Sequence, residues 1–495
     1  MKKLSWVSLL QINAFFLGLN VLAATNGFIL PLLVQQFVGS EKQGAYFGQL
    51  RLWTLMLSII VQSTMGAFSD SSTLLWGRRR PFIFGGALLT LAIFWLAGNS
   101  PLFHEGGTFG LLFLVVMLIQ FSYNAAIAGQ NGLIPDLVPP SQRGLASGVK
   151  ALLETTLPLL LIAGFTGAMI SRGELWPALR IALLVFGITA LFTLTVKENR
   201  WQNNGRRFDW GQLIRLFLMA ACFTAIILAL GELMRFLLRR PLRNPQDLVQ
   251  PFILGLVGLV CIVASLFAGT WFSLRIGLGK TAFQGNPSYR WWVIHRLAFL
   301  TGVFNMGVFA IYFIQSRLNI SGAAAAAPGT LFMALLGIWI SIVTLPGGWL
   351  ADRIGRKPLA MASGWLAALG TLVLLSTTNM VVIFIGGGLL GFAAGLFFSS
   401  SWALGTDLIA DATASKYLGI QNIAAAGAGA VGAYIGGPIA DFFSHNFPQV
   451  PGLGYVVLFG MFGFLCLLSS LALTRVHTPT LSPAESPKPA LEQVS

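Results

Sequence analysis

Residues 66–81 read GAFSDSSTLLWGRRRP, and residues 348–358 repeat the pattern as GWLADRIGRKP. In each copy a Gly stands four residues before an Asp, and a basic sequence that begins with Gly-Arg and ends with Pro follows, GRRRP in the first copy and GRKP in the second. The two aspartates, Asp70 and Asp352, occupy matching places in the two halves of the chain. One charged loop after an apolar run in each half is typical of a duplicated membrane protein.

The composition sets the class of protein. Hydrophobic residues make up 56% of the 495 residues, charged residues make up 9%, and the mean hydropathy is +0.77. A soluble domain carries about a quarter charged residues. Apolar runs of about 20 residues, long enough to cross a hydrocarbon core, recur from end to end. The sequence therefore predicts an all-α polytopic membrane protein whose surroundings are a lipid bilayer.

The net charge of +15 does not indicate a nucleic-acid partner. Basic residues gather between the apolar runs, where they face anionic lipid on the inner side of a membrane. Lys2 and Lys3 predict a cytoplasmic N-terminus, and the first apolar run is interpreted as a retained helix rather than a cleaved signal peptide. We expect a plasma (inner) membrane protein with both termini in the cytoplasm.

The sequence has no pattern of an enzyme or of a cofactor or metal site. Cys222, Cys261 and Cys466 all lie within apolar runs, so no disulfide framework or metal cluster is expected. The four His residues are scattered, and HExxH, GxSxG and Walker patterns are absent from the sequence. Without a nucleotide site, any transport has to run on an ion gradient.

Twelve helices are predicted in two sets of six. The first set is expected at 6–37, 47–69, 82–97, 108–134, 145–170 and 176–196. The second set is expected at 291–314, 331–350, 359–376, 381–404, 417–439 and 455–473. These sets predict an N-terminal bundle over 1–200, a C-terminal bundle over 291–475 and a disordered cytoplasmic tail over 476–495.

Two further apolar runs, about 213–238 and 252–272, lie in a central linker over 201–290. If both cross the membrane, they form an inserted hairpin and the chain has 14 helices. The loop between them then places four arginines outside, against the charge rule: Arg235, Arg239, Arg240 and Arg243. The alternative is a pair of cytoplasmic or interfacial segments, which leaves 12 helices. We favour the hairpin because both runs are long and apolar.

At the two charged loops the chain resembles the major facilitator superfamily. The resemblance covers residues 1–200 and 291–475 and implies two six-helix bundles around a central cavity that opens to each side in turn. The sequence GRRRPFI at residues 77–83 resembles the loop of the sucrose and glycoside-pentoside-hexuronide cation symporters. The extra hairpin is more similar to fourteen-helix branches, many of which are exporters.

The charged loops are interpreted as gates. An Asp after the second helix of each half can accept hydrogen bonds from helix N-terminal amides and pair with the arginines. Such contacts between the bundles would stabilise the state that is closed to the cytoplasm. The alternative for the arginines is to anchor the topology on anionic lipid. The predicted gating residues are Asp70, Gly77, Arg78, Arg79, Arg80, Asp352, Arg353, Gly355 and Arg356.

A second constellation lies on the fifth helix. Arg143, Lys150 and Glu154 are seven and four residues apart and share one face. A rise of about 1.5 Å per residue puts Glu154 about 16 Å deep, near the bilayer centre. A carboxyl group there can take up and release a proton, or pair with a substrate cation, while Lys150 modulates it. The alternative is a static ion pair that holds helices together.

A third set consists of amides and aromatic rings within apolar helices. Their hydrogen bonds and stacking suit a hydroxylated or aromatic substrate, although such groups also bridge helices in membranes. The predicted substrate-binding residues are Asn20, Asn26, Gln120, Tyr123, Asn124, Asn305, Tyr312, Trp402, Gln421 and Asn422.

The sequence therefore predicts a secondary active transporter that moves a small molecule with a proton or a cation. A sugar-like or glycoside-like substrate fits the loop resemblance. Two alternatives stay open at this point. One is an exporter of drugs or metabolites that works by proton antiport, and the other is a non-transporting assembly or receptor protein with the transporter fold.

Overall fold

The computed structural model describes residues 4–74, 76–103, 107–139, 142–198, 210–240, 249–320, 322–408 and 414–477. Over these residues the chain is helical apart from short connections, and no strand occurs among them. The all-α prediction is confirmed. The predicted disordered tail lies outside the described residues from residue 478 onward.

The first half of the chain contains six helical runs close to the predicted ones. They are α1 (Trp6–Val38), α2 (Gln43–Ser71), α3 (Arg80–Asn99), α4 (Phe109–Leu137), α5 (residues 143–171) and α6 (Leu175–Leu194). Ser5 caps α1 and Thr108 caps α4, each by accepting a hydrogen bond from the amide three residues later. Pro81 stands in the first turn of α3, where its missing N–H leaves no helix hydrogen bond unmade.

The central linker and the second half contain the remaining helices. The linker forms α7 (Trp210–Leu238) and α8 (Val249–Leu278), followed by the short α9 (Lys280–Gly285). The second half contains α10 (Pro287–Val308), α11 (Ala310–Leu318), α12 (Ala326–Ile354), α13 (Arg356–Leu375), α14 (Met380–Asp407), α15 (Ala414–Asn446) and α16 (Leu453–Thr474).

The sequence predicted a regular fifth helix, but the run α5 is irregular. Two π-helical segments, Leu152–Thr156 and Ile162–Thr166, interrupt its α-helical pieces. Pro158 explains the first one, because a proline has no N–H to donate to the carbonyl of Glu154, four residues earlier. Such wide turns occur often at functional sites.

The seventh predicted helix is also broken. It consists of α10 and α11, which meet at an angle of 56°. The break follows Gly307, whose low helix propensity makes a change of direction less costly. The bend directs Tyr312 and Gln315 of α11 toward α1, where they form hydrogen bonds with the first half.

Many helices can cross a membrane. Within the described ranges, 11 helices are long and apolar enough, or 12 if the bent pair α10–α11 counts as one span. Both helices of the central hairpin are among them. Large apolar side chains such as Leu345, Phe252 and Trp95 point outward. An apolar outer surface of this extent fits a lipid surrounding and makes this a multi-pass integral membrane protein.

The two halves meet mainly through α2 and α15, which pack along each other. Small residues form this contact. A Cβ added to Gly48 would lie 2.1 Å from the carbonyl oxygen of Ala433, and one added to Gly437 would lie 2.0 Å from that of Gly44. The backbones therefore touch where any side chain would separate them.

The central hairpin packs on the outside of this contact, against α15. On α7, Glu232 accepts a 2.6 Å hydrogen bond from the hydroxyl group of Tyr434 and pairs with Arg235 at 2.6 Å. The Arg235 guanidinium group stacks on the Tyr434 ring, 4.2 Å from its centre. These charges thus hold the hairpin to the second half.

Gly48→Ala tests the close packing of α2 on α15. The added methyl group meets backbone rather than a flexible side chain, so we expect a loss of about 1–3 kcal/mol in stability. Thermal unfolding of the purified protein measures it. Gly85→Ala is the matched control, because a Cβ there has nothing within 4 Å. That change should be neutral or stabilising by up to about 1 kcal/mol. Equal stability of the two variants would contradict the packing argument.

Candidate functional site

A cavity of about 870 Å³ lies between the two halves. Its walls come from α1, α2, α4 and α5 on one side and from α10, α11, α12 and α15 on the other, and Leu216 of the hairpin helix α7 also lines it. Apolar side chains form most of the surface. The polar and charged residues that line it are Arg51, Ser58, Gln62, Ser63, Asp70, Arg79, Asn131, Asn305 and Thr330. A cavity of this size accommodates a small organic molecule.

The cavity extends to one end of the helices. Asp70 and Arg79, at the first charged loop, are part of its wall. We call this the motif end, and the end at Gly44 and Asp441 the opposite end. Among the described residues, each ion pair seen at the motif end joins two residues of the same half, and none of these pairs connects the halves.

At the opposite end the two halves are joined by a carboxylate on a helix N-terminus. The Asp441 side chain of α15 accepts hydrogen bonds from the amides of Gly44 (2.9 Å) and Ala45 (2.7 Å). These amides are in the first turn of α2, where no helix carbonyl is available to them. A negative charge at this position is also favoured by the helix dipole.

Further contacts between the halves complete the seal at the opposite end. The Tyr312 hydroxyl group donates to the carbonyl oxygen of Pro31 at 2.7 Å, and Gln315 donates to Gln35 at 3.1 Å. The Phe47 ring packs edge-on against Phe309 and Tyr312, with centroids 5.6 Å apart in both pairs. The cavity is therefore closed at the opposite end.

The first charged loop forms a compact network at the motif end. The Arg78 Nη2 atom contacts both carboxylate oxygens of Asp136 at 2.6 and 2.7 Å. Arg79 donates from Nε to Asp136 at 2.8 Å and from Nη1 to Ser69 at 3.1 Å, and it pairs with Asp70. Asp136, at the end of α4, is thus the centre of the network. Its charge ties α4 to the beginning of α3.

The N-terminus of α3 has a different cap from the one predicted. The amides of Arg78 and Arg79 donate to one oxygen of Glu198 at 2.6 and 2.9 Å, and the amide of Arg80 donates to the other at 3.1 Å. The loop pattern predicts Asp70 in this role, whereas Asp70 pairs with the arginine side chains. Gly77 makes the approach possible, because its φ of 121° and the nearby Glu198 carboxylate leave no room for a side chain.

The second charged loop repeats the arrangement with fewer charges. Arg356 pairs with Asp407, at the end of α14, and lies 3.6 Å from Asp352. Arg353 stacks on the ring of Trp349 at 4.0 Å. Gly355, with a φ of 105°, makes the turn between α12 and α13. Asp407 therefore corresponds in position and contact to Asp136.

The Lys150–Glu154 pair lies where α5 changes to a π-helical turn. The Lys150 Nζ atom is 3.7 Å from the Glu154 carboxylate and 4.5 Å from the centre of the Phe16 ring of α1. The Glu154 side chain keeps 42% of its surface exposed. The π-helical segment that contains it packs against α1 and also against α12 of the other half. The π-helical segment that contains Glu154 thus lies at the interface between the halves.

The predicted substrate-binding residues fall into several groups. Asn305 lines the central cavity, and its Oδ1 atom is buried without a partner among the described residues. Asn26, Gln120 and Tyr123 line a side cavity of about 170 Å³. Asn124 accepts a 2.7 Å hydrogen bond from Gln62 and so lies behind the cavity wall.

The other residues of that set lie elsewhere. Asn20 donates to the carbonyl oxygen of Phe16 in its own helix, and Tyr312 is part of the seal. The ring of Trp402 faces Arg296, whose guanidinium carbon is 5.4 Å from the ring centre. The side chains of Gln421 and Asn422 lie outside the described residues.

Sequence reasoning missed three charged residues of the site. Glu198 and Asp441 have no local pattern, because each caps a helix that is distant in the sequence. Arg51 belongs to no charged cluster or repeated motif of the sequence, so no pattern singles it out. The structure places it in both the central and the side cavity. Asp136 and Asp407 had a signal, since both precede Leu at matching places of the two halves.

Comparison with known proteins supports the major facilitator superfamily. Residues 292–494 match the family model of the Major Facilitator Superfamily. An uncharacterised MFS-type transporter, YqjV of Bacillus subtilis (strain 168), is 28% identical over 170 residues, which are 34% of this chain and 38% of that protein. Monosaccharide-sensing protein 2 of Arabidopsis thaliana is 31% identical over 87 residues, which are 18% of this chain and 12% of that protein. This chain therefore matches well under half the length of either relative.

Solved structures resemble the chain over nearly its whole length. The nucleoside transporter NupG has a TM-score of 0.58 at 15% identity, with 95% of this chain and 98% of that chain covered. An auto-inhibited peptide transporter of the POT family has a TM-score of 0.61 at 13% identity, with 96% and 99% covered. These likenesses show the fold. Together the comparisons point to a family of transporters, which is not enzymatic.

Asp441→Ala tests the carboxylate that joins the halves at the opposite end. It removes two charge-assisted hydrogen bonds, worth about 1.5–3 kcal/mol for such contacts. The ratio of the arrangement closed at this end to the arrangement open at this end should therefore fall about tenfold or more. Spin labels at Lys42→Cys and His445→Cys, both exposed at that end, report the distance between the halves in a background without the three native cysteines.

We expect a new, longer component in the distance distribution of the Asp441→Ala protein. Asn446→Ala is the control, since Asn446 donates to the Phe442 carbonyl within its own helix. An unchanged distribution in Asp441→Ala would show that the carboxylate does not hold this end closed.

Proposed function

We propose that the chain is a secondary active transporter that moves a small solute by alternating access. One observation carries this proposal: the cavity between the halves reaches the motif end and is sealed at the opposite end by contacts that all cross between the halves. A cavity closed at one end by separable contacts is what alternating access requires. The present conformation is then the one open at the motif end.

The proposal includes a topology. The basic loops at the motif end face the cytoplasm, both termini are cytoplasmic, and the membrane is the plasma (inner) membrane. The bundles are 1–200 and 291–475. The runs α5 and α15, added to the 12 spans described above, give 14 with the hairpin included. The position of Arg239 supports this, because it shares a surface pocket with Lys42 and His445 at the opposite end.

We propose that the two loop networks act in gating. In the conformation open at the motif end, each network ties three helices of its own half into one body. The arginines then become available for contacts between the halves when the motif end closes. Gly77 and Gly355 allow the tight turns that place these arginines. Arg80 contributes its amide to the Glu198 cap, and Arg353 packs on Trp349.

Glu154 is the proposed coupling residue, with Lys150 as its modulator. A carboxyl group in a membrane helix is costly unless it has a role, and this one belongs to a π-helical segment at the interface between the halves. Its half-exposed side chain remains accessible to an ion. A proton or a cation that binds there neutralises the carboxylate. Binding and release therefore change the charge at the interface that has to rearrange during transport.

The substrate is proposed to be a small molecule held by the amides and hydroxyl groups of the cavity, and the loop GRRRPFI favours a sugar-like solute. Export by proton antiport is the second candidate, and the extra hairpin favours it. Uptake of labelled sugars, glycosides and amphipathic drugs into proteoliposomes, under a proton gradient of either sign, separates the two. Accumulation under neither gradient, for any compound, would favour a non-transporting membrane protein.

Glu154→Gln tests the coupling role. The amide keeps the size of the side chain but does not titrate, so gradient-driven accumulation should fall at least tenfold. Exchange of labelled for unlabelled solute across the membrane, which needs no net proton movement, should continue. Glu174→Gln, in the exposed connection between α5 and α6, is the matched control. Full gradient-driven accumulation by Glu154→Gln would overturn the assignment.

A further inference from the structure

Arg51 lies deep in the central cavity, close to its closed end. It is two turns into α2, about 12 Å from the start of that helix at a rise of about 1.5 Å per residue. It lines both the central and the side cavity. Phe47, one turn earlier on α2, is part of the seal. A Cβ added to Gly429 of α15 would lie 3.8 Å from its Nη2 atom, so the guanidinium group faces the other half.

The Arg51 guanidinium group has no counter-ion among the residues that the structure describes. None of the ion pairs or side-chain hydrogen bonds seen in those ranges involves it, and its Nε atom is buried without a partner. The other charged side chains in the cavity wall are Asp70 and Arg79, which pair with each other at the motif end. Asp70 is 19 residues further along α2, so nearly 30 Å of helix separates it from Arg51.

An unpaired cation at this depth is costly for the protein. Charged side chains within membrane-spanning helices pair with a partner or face a water-filled cavity, and they mark the path of a substrate or an ion. The planar guanidinium group presents N–H groups in a fixed fork that matches the two oxygens of a carboxylate or phosphate group. The missing partner is therefore best supplied by an oxyanion that enters from the motif end.

We propose that Arg51 binds the anionic group of the transported solute, so that the substrate class is a small organic anion with a carboxylate or phosphate group. The inference rests on the proposed transport function, since it names the solute of the same cavity. Ser58 and Gln62 are seven and eleven residues after Arg51, on the same face of α2. The Ser58 hydroxyl group donates to the Leu55 carbonyl oxygen, and the Gln62 amide group donates to Asn124. The side-chain oxygen atoms of Ser58 and Gln62 are therefore placed to accept hydrogen bonds from the uncharged part of the molecule.

The experiment measures equilibrium binding to the purified full-length protein, without a gradient. The probes are pairs that differ in the anionic group: glucuronate and glucose, benzoate and benzamide, glucose 6-phosphate and glucose. The first two pairs test a carboxylate and the third tests a phosphate. Ligand-induced thermal stabilisation and isothermal titration give the affinities for the wild-type protein, Arg51→Gln and Arg51→Lys.

We expect the wild-type protein to bind the anion of at least one pair at least tenfold more tightly than its neutral partner. Arg51→Gln should abolish that preference, and Arg51→Lys should keep part of it. Arg180→Gln, on the outer surface of α6 and outside the cavity, should bind as the wild type does. The absence of a preference in every pair, or the same preference in Arg51→Gln, would overturn the inference.

A second measurement does not require the right solute. A cysteine at Ser58, in a background without the native cysteines, reacts with methanethiosulfonate reagents that enter the cavity. The quantity compared is the rate with the anionic reagent divided by the rate with the cationic reagent. Because Arg51 is an uncompensated cation, this ratio should be at least threefold higher with Arg51 than in the same protein with Arg51→Gln. An unchanged ratio of rates would show that Arg51 exerts no field on the cavity and would overturn the inference.

The two proposals fail separately. Binding of an anion through Arg51 without gradient-driven uptake would retain this inference and remove the transport function. Gradient-driven uptake of a neutral solute, unaffected by Arg51→Gln, would retain transport and overturn the anionic substrate.

Discussion

The contact between α2 and α15 is the constraint on which the rest of the structure depends. Glycines on both helices bring the backbones together where a methyl group does not fit. The Asp441 carboxylate adds a charge to the free amides at the start of α2. Because the two halves touch closely at this end, the cavity between them extends toward the other. The close packing, rather than any lid, determines which end of the cavity is sealed.

Each of the two loop networks ties three helices of one half together. In both, an Asp at the end of the fourth helix of the half binds the arginine of the loop, so Asp136 and Asp407 have the same task. The first network is larger, since it contains two arginines and the Glu198 cap. Because these charges satisfy one another within a half, the contact between the halves at the opposite end consists of close helix packing, ring contacts and a few breakable hydrogen bonds. That division of interactions is suited to a rocking motion of two bodies.

Arg51 and Glu154 represent two ways in which a charge is accommodated within such a fold. Glu154 has a neighbouring cation on its own helix, and its π-helical turn contacts both halves. Arg51 has no such neighbour among the described residues and faces the cavity. A charge with an internal partner is suited to titration or to a structural role, whereas a charge without one is suited to a ligand.

The positions of the helices followed from the sequence, with ends that differ by at most seven residues, because each helix needs a continuous apolar run to cross lipid. The breaks did not. The bend at Phe309 and the π-helical turns of α5 lie where these segments pack against other helices, and such packing leaves no mark on the hydropathy of the chain. Of the predicted substrate-binding residues with described side chains, only Asn305 lines the central cavity. Periodicity places an amide within a helix but does not say whether it faces a cavity or a neighbouring carbonyl group.

The sequence by itself determined the class of protein, the duplication with its two charged loops, and the carboxyl group in the fifth helix. These are local properties of composition, spacing and depth. The tertiary structure alone decided which end of the cavity is closed, which charge lacks a partner, and which carboxylate caps which helix. Gly44 and Asp441 are 397 residues apart, and Arg78 and Glu198 are 120 apart. Contacts over such separations leave no pattern in the chain, because they arise only when the packed helices bring the groups together.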